Sequence, residues 1–133
     1  MTLLLKQHTI LLQTINFSLM AHTLSIEIKT NYEAFHRWKD APDEVSFLRN
    51  KHRHIFYVEL ELTVSHNDRD FEFFIVKKDL DLVIRTCINK EDAGSCEMQA
   101  EIILKEMNEL HYPVTRIKVS EDNENSAILT VTE

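Results

Sequence analysis

The stretch KHRHIFYVELELTV, residues 51–64, alternates between apolar and polar side chains from Phe56 onwards. A period of two is typical of a strand with one buried face, because successive side chains point to opposite sides of a sheet. We therefore predict a strand from His54 to Ser65. Its apolar parity, continued backwards, includes both His52 and His54, so these two imidazoles are expected to lie together on one face.

The preceding stretch TLSIEIKTNYEAFH, residues 23–36, has the same alternation and predicts another half-buried strand. Its apolar positions begin at Leu24, and His36 continues their parity. If the two strands pair as an antiparallel hairpin, the end of the first lies beside the start of the second. His36 is then a neighbour of His52 and His54.

The connecting segments are less regular. RWKDAPDEVSFLRN, residues 37–50, is predicted to form a loop because it contains Pro42 and several acids, and we expect Trp38 and Phe47 in it to cover the core. After the second strand, HNDRD is predicted to be a turn and FEFFIV a short apolar connection.

Two helices and two further strands are predicted in the second half of the chain. The first helix lies within KKDLDLVIRTCINK, and the second begins after Ser95 as N-cap and ends at Pro113. Their apolar stripes are Leu80, Val83, Ile84, Cys87 and Ile88, and Ala100, Ile103, Leu104, Met107 and Leu110. The strands VTRIKVSE and SAILTVT follow, separated by the turn DNEN.

The order of these elements predicts an α+β fold. Strands do not alternate with crossover helices, so we expect a four-stranded antiparallel sheet with two helices packed on one face. The other face carries Glu27, Lys29, Glu59 and Glu61, which is too charged for a core but suits the interior of an oligomer. The two open sheet edges also favour pairing between subunits.

Composition restricts the class of protein. The chain has 133 residues, enough for one domain, and a net charge of −7, which argues against a nucleic-acid-binding surface. The single glycine excludes glycine-rich phosphate loops. Two cysteines without a disulfide pattern indicate a reduced, cytoplasmic protein, and no apolar run is long enough for a membrane span. Residues 1–19 are interpreted as an N-terminal extension of uncertain structure, and residues 20–133 as the domain.

Three neighbouring histidines are a candidate metal site. Three neutral imidazoles with one open position are the arrangement of a catalytic zinc, in which the metal polarises an oxygen of the substrate or activates water. The alternative is that His36, His52 and His54 only close the strand ends through hydrogen bonds. The H-x-H spacing alone leaves both interpretations open.

Several motifs strengthen the zinc interpretation through a resemblance. YEAFHRW is similar to F-x-A-A-H-x-L, KHRHIFYVELELTV to H-G-H-x-Y-x-V-x-V, SCEMQAEIILKEM to T-[ST]-E-N-x-A-x-x-I, and IKVSEDNENSAILTV to V-x-V-x-E-T. In this order they resemble the 6-pyruvoyltetrahydropterin synthase and 6-carboxytetrahydropterin synthase family, which has the T-fold. The resemblance covers most of the chain, from about residue 23 to residue 132.

The resemblance implies a site and an assembly. His36, His52 and His54 would bind Zn²⁺, Glu97 would occupy a glutamate position of the family, and Glu121 would anchor a pterin. Family members are zinc-dependent carbon–oxygen lyases of the pterin or queuosine pathways, and they form hexamers as dimers of trimers. The implied substrate is dihydroneopterin triphosphate or a relative.

The sequence departs from the family where protons are transferred. Leu48 stands where a catalytic cysteine precedes H-G-H, and no histidine lies between the helices. Arg53 replaces the glycine of H-G-H and is expected to crowd the metal. The candidate replacement bases in the loop are Asp40, Asp43 and Glu44, and nothing in the sequence selects one of them. The catalytic residues are therefore not assigned.

Cys96 and the function itself also have alternatives. Cys96, at a helix start, is interpreted as a buried, inert cysteine rather than a substitute nucleophile.

Three functions remain open: a zinc-dependent lyase, a divergent T-fold oligomer that binds a pterin or purine ligand without the family reaction, and a structural oligomer whose histidines bind nothing.

Overall fold

The structure, a computed structural model, describes residues 21–132. The predicted N-terminal extension of residues 1–19 lies outside the described residues. The elements, in chain order, are β1 (Ser25–His36), β2 (His52–Thr63), α1 (Phe73–Cys87), α2 (Cys96–Glu109), β3 (Val114–Glu121) and β4 (Ser126–Thr130). A short 3-10 segment, Asp43–Arg49, lies between β1 and β2.

The four strands form one antiparallel sheet in the order β1-β2-β3-β4. This confirms the predicted α+β class and the antiparallel sheet. No helix within residues 21–132 is both long and apolar enough to cross a membrane.

One face of the sheet forms the core with both α-helices. Alternate residues of β2 from Phe56 to Leu62 are completely buried, as the two-residue period predicts. Leu80 of α1 and Ile103 of α2 are equally inaccessible and belong to the same apolar cluster. The helices therefore cover the face to which His36, His52 and His54 also belong.

The opposite face of the sheet carries paired charges. Lys29 lies 3.5 Å from Glu27 and 3.6 Å from Glu59, and Lys118 approaches Glu59 at 3.8 Å. Glu61 accepts a hydrogen bond from the Thr115 hydroxyl at 2.9 Å. The predicted charged face is thus present, and its acids and bases largely neutralise one another.

Three sequence-based expectations need correction. The FEFFIV segment is not a connection, because α1 already begins at Phe73, where the Glu72 carboxylate caps the helix by accepting the Ile75 N–H at 2.9 Å. Trp38 and Phe47 do not cover the core, since 52% and 68% of their surfaces are exposed.

The third correction concerns the helical stripes. Cys87 is exposed at the end of α1, and Leu110 lies beyond α2 with half its surface exposed. Ile88, the last residue of the first stripe, is buried in the core, so the exposed Cys87 interrupts that stripe, whereas the second stripe was extended one position too far. Ser95 does cap α2, as predicted, by accepting the Met98 N–H at 3.1 Å.

Candidate metal centre

Three histidines meet at one end of the β1–β2 hairpin. The register pairs His36 with His52 and Ala34 with His54, so the three imidazoles occupy neighbouring positions on the helix-covered face. Their ring centroids lie 4.6 Å apart for His36 and His52, and 5.0 Å apart for the other two pairs. One nitrogen from each ring lies within 4.8 Å of the others, so the cluster can hold a metal ion.

Each imidazole is held by a hydrogen bond at Nδ1. The acceptors are the Gly94 carbonyl for His36 at 2.8 Å, the Asn50 carbonyl for His52 at 2.7 Å and the Asp122 carboxylate for His54 at 2.6 Å. Carbonyl and carboxylate oxygens only accept, so each Nδ1 carries the proton. In neutral imidazoles with this arrangement Nε2 carries the lone pair, which is the tautomer that a metal requires.

The Nε2 atom of His52 shows that the cluster fits a cation. It is buried and has no hydrogen-bond partner within the described part of the chain. An unsatisfied buried acceptor costs free energy, and a metal ion at the centre of the cluster removes that cost. Imidazole nitrogen is a preferred ligand of zinc and of other late first-row divalent metals.

A buried polar network positions His36. Gly94, at φ 77°, directs its carbonyl to His36 Nδ1, and the same carbonyl accepts the Gln99 Nε2–H at 3.1 Å. Gln99 is completely buried, and its Oε1 accepts the hydroxyl of Tyr32. Burial raises the pKa of Tyr32, so its hydroxyl remains a donor. The network links the start of α2 to a candidate metal ligand.

Sequence reasoning missed Gln99. The available signal was that this amide falls on the buried stripe of α2, where it lies beside Ala100 and one turn before Ile103. A polar side chain on an apolar stripe indicates a buried hydrogen bond, because an unpaired amide there is costly.

Asp122 positions His54 and was also missed. It lies just beyond β3 at φ 52°, where one carboxylate oxygen accepts from His54 and the other accepts the Ile55 N–H at 2.9 Å. The hydrogen bond from His54, followed by that from Ile55, holds the pKa of Asp122 below its usual value. The sequence indicated only a turn here, because the contact joins residues far apart in the chain.

Glu121 lies at the rim of the histidine cluster. Its Oε1 is 3.5 Å from Nε2 of His36, and its Oε2 is 3.7 Å from Nε2 of His54. The sheet register explains this position, because Glu121 pairs with Phe56, the next residue along β2 on the face of His54. The residue predicted to bind a ligand is therefore adjacent to two of the three predicted metal ligands, His36 and His54.

Two further candidate residues, Glu97 and Cys96, lie at the start of α2. Glu97 is exposed in the first turn of the helix. Cys96 is buried, and burial, followed by the charges of Glu121 and Glu97, raises its pKa to about 12. The thiol therefore stays protonated at neutral pH, which agrees with a buried cysteine and not with an activated nucleophile.

The expectation for Arg53 was wrong. Its guanidinium forms an exposed ion pair with Glu33 at 2.9 Å, on the face of the sheet opposite to the histidines. Strand alternation requires this, because Arg53 lies between His52 and His54 and must point the other way. Arg53, which stands where the family has a glycine, therefore does not obstruct a metal ion at the histidines.

The proton-transfer candidates are not brought to the cluster as a group. Leu48 is half-buried, and its carbonyl accepts the Trp38 N–H at 2.7 Å. Asp43 pairs with Arg49 at 2.8 Å, and Asp40 and Glu44 are exposed. Among residues 21–132, the convergent set of metal-ligating side chains consists of the three histidines.

Comparisons with known proteins agree with this geometry at the level of the fold. The 6-pyruvoyl tetrahydropterin synthase of Caenorhabditis elegans matches with a TM-score of 0.64 and 13% sequence identity, over 84% of this chain and 98% of that chain. The chain has a 6-pyruvoyl tetrahydropterin synthase-like fold. No protein-family model matches the sequence, and no curated protein matches it. At this identity the likeness concerns the fold, and the functional argument depends on the site itself.

Proposed function

We propose that the protein binds Zn²⁺ through His36, His52 and His54 and uses it to hold a pterin-type ligand such as dihydroneopterin triphosphate. The observation that supports this most is the arrangement of the cluster, because all three Nδ1 atoms are hydrogen-bonded to acceptors and one ligand atom from each ring lies within 4.8 Å of the others. The fold supports the pterin class of ligand.

The ligand would be held by two groups. Bound zinc supplies a Lewis acid that polarises oxygens of the ligand's side chain. Glu121 supplies a carboxylate that accepts two hydrogen bonds from the guanidine-like edge of a pterin ring. The exposed fraction of the Glu121 side chain, 38%, leaves it accessible to a ligand from solvent.

The family reaction is proposed to be absent or very slow. Leu48 cannot carry a proton, and residues 88–95 between the helices contain no histidine. The competing function is a zinc-dependent lyase, which would require a complete set of proton-transfer groups. A cytoplasmic location is proposed with either function.

Ligand binding tests the proposal directly. Dihydroneopterin triphosphate should bind the zinc-loaded protein, as measured by calorimetry, and should bind the chelator-treated protein much more weakly. Glu121→Ala should weaken binding about tenfold to a hundredfold, because a hydrogen bond to a charged group contributes roughly 1.5–3 kcal/mol. The exposed Glu124 of the next turn provides the control, Glu124→Ala, which should bind normally. Equal binding with and without zinc would contradict the proposal.

The assembly is proposed to be a homohexamer. β1 and β4 form the two edges of the sheet, and the face opposite the helices is charged rather than apolar. Pairing of β1 with β4 of a neighbouring subunit would close these edges and enclose the charged face. Light scattering at micromolar concentration should give six times the mass of the chain, and a monomer at that concentration would contradict the assembly.

A further inference from the structure

The helix layer has an outer surface that takes no part in the core or in the histidine site. α1 packs on β1, α2 packs on β3 and β4, and the two helices contact each other. Their inner sides hold the buried residues, among them Leu80 and Ile103. Their exposed outer sides form what we call the outer helix surface, defined by Phe74, Lys78 and Leu82 on α1 and by Met98, Glu101 and Glu109 on α2.

Large apolar side chains on the outer helix surface are exposed. The exposed fraction is 81% for Phe74, 45% for Leu82 and 60% for Met98. Phe74 and Leu82 lie about two turns apart on α1 and line one groove together with Lys78 and Arg85. Aromatic residues, Met and Arg are enriched at protein–protein interfaces, and contiguous exposed apolar side chains mark such surfaces. The outer helix surface therefore has the composition of an interface.

The two halves of the outer helix surface carry opposite charge. Among the exposed charged residues, α1 has three bases and one acid, whereas α2 has three acids and one base. The single exposed acid of α1, Asp81, already accepts a hydrogen bond from the Thr30 hydroxyl at 2.5 Å. The bases of α1 and the acids of α2 form no ion pair within residues 21–132; they are Lys77, Lys78, Arg85, Glu97, Glu101 and Glu109. The two helices are thus complementary without neutralising each other inside one chain.

We propose that the outer helix surface binds a second copy of this chain, with α1 of each copy against α2 of the other. A two-fold axis that lies between two stacked helix layers and follows the boundary between α1 and α2 produces this arrangement. Each basic helix then meets an acidic helix, and the contact occurs twice. A second copy fits better than an unrelated protein, because one chain carries both halves of the complementary pair.

This contact goes beyond the proposed function and does not depend on a metal. It is also separate from the edge strands β1 and β4, through which the hexamer is proposed to form. The exposed apolar side chains, Phe74 and Leu82 of one copy and Met98 of the other, lie within the contact, and the charged side chains surround them. This is the usual division of an interface into an apolar centre and a polar rim.

Cross-linking without a spacer tests the contact in the full chain. A carbodiimide joins a lysine amine directly to a neighbouring carboxylate, and denaturing electrophoresis then separates cross-linked pairs of chains from single chains. Mass spectrometry of the two bands identifies the joined residues. The expected product joins Lys77 or Lys78 to Glu101 or Glu109, in the band of paired chains and not in the band of single chains.

Charge reversal on one helix at a time sharpens the test. One variant carries Lys78→Glu and Arg85→Glu on α1, and the other carries Glu101→Lys and Glu109→Lys on α2. Either variant alone places like charges opposite one another and should lower the yield of pairs joined through α1 and α2 at least about tenfold. A mixture of the two variants restores opposite charges at both contacts and should recover the native yield.

The matched control reverses two exposed acids outside the helices, Asp92→Lys and Glu124→Lys. It changes the net charge as much as the α2 variant does and should give the native yield of cross-linked pairs.

Three results would overturn the inference. The first is a native protein whose paired chains contain no link between α1 and α2. The second is a link from Lys77 or Lys78 to carboxylates of another element, which would assign this surface to a different partner. The third is a mixture of the two variants that forms no more pairs than either variant alone. The cross-links of the native protein decide the matter even if a variant does not fold, and none of these results bears on the histidine site.

Discussion

Replacing His52 by alanine should reduce zinc affinity by more than about 100-fold, which exceeds the usual loss for a residue that only hydrogen-bonds to a metal ligand. The native protein should contain one zinc per chain after dialysis, and His52→Ala should contain almost none. The physical reason is that His52 supplies one of three converging Nε2 lone pairs, and its own is buried without a partner. Metal content by mass spectrometry and affinity by chelator competition measure the effect.

The matched control for His52→Ala is His66→Ala. His66 is exposed in the turn after β2 and interacts with Asp70 at 3.6 Å. The substitution His66→Ala therefore removes an imidazole that does not belong to the cluster. Its zinc content should equal that of the native protein. Full zinc content in His52→Ala, with a native-like circular dichroism spectrum, would show that the histidine assignment is wrong.

The second large effect concerns turnover. At matched zinc occupancy, conversion of dihydroneopterin triphosphate should be at least about 10⁴-fold slower than by a 6-pyruvoyltetrahydropterin synthase with complete proton-transfer groups. Each general acid or base contributes about 10²–10⁴-fold in rate, and two such groups are absent from their expected positions. Leu48 occupies one position, and residues 88–95 provide no histidine for the other. Single-turnover assays with purified substrate measure the rate.

Leu48→Cys tests why the rate is low. The variant should remain slow, because a base alone does not replace the partner that returns the proton, and coupled groups contribute non-additively. A rate of the native protein within tenfold of the complete enzyme would contradict this explanation. It would assign the base to another group, with Asp40, Asp43 and Glu44 as the first residues to replace.

The hairpin and its histidines could be predicted because they depend on one local rule. Alternation places residues two apart on the same face, and antiparallel pairing places His36 opposite His52. The same rule, applied strictly, also predicts that Arg53 faces away from His52 and His54. The expectation that it would crowd the metal came from sequence adjacency alone, and the structure corrects it.

The groups that position the histidines could not be predicted in the same way. Asp122 reaches His54 across the sheet, and Gly94 reaches His36 from the start of α2. Contacts between residues so far apart depend on how the sheet, the turn and the helix come together, and no periodicity encodes them. Gln99 was the exception, since its place on an apolar stripe was visible in the sequence.

The positions of the three histidines and of their neighbours along the chain have a consequence for how the molecule folds. All three imidazoles belong to the β1–β2 hairpin, whereas Gly94, Asp122 and Glu121 join from elements much later in the chain. Hairpins form in about 1–10 μs, and contacts between distant segments form more slowly because more chain entropy must be lost first. By this argument the three imidazoles would come together before the helices dock. A one-residue slip of the hairpin would turn one strand's histidines to the other face, so a metal ion bound at this stage would favour the correct register.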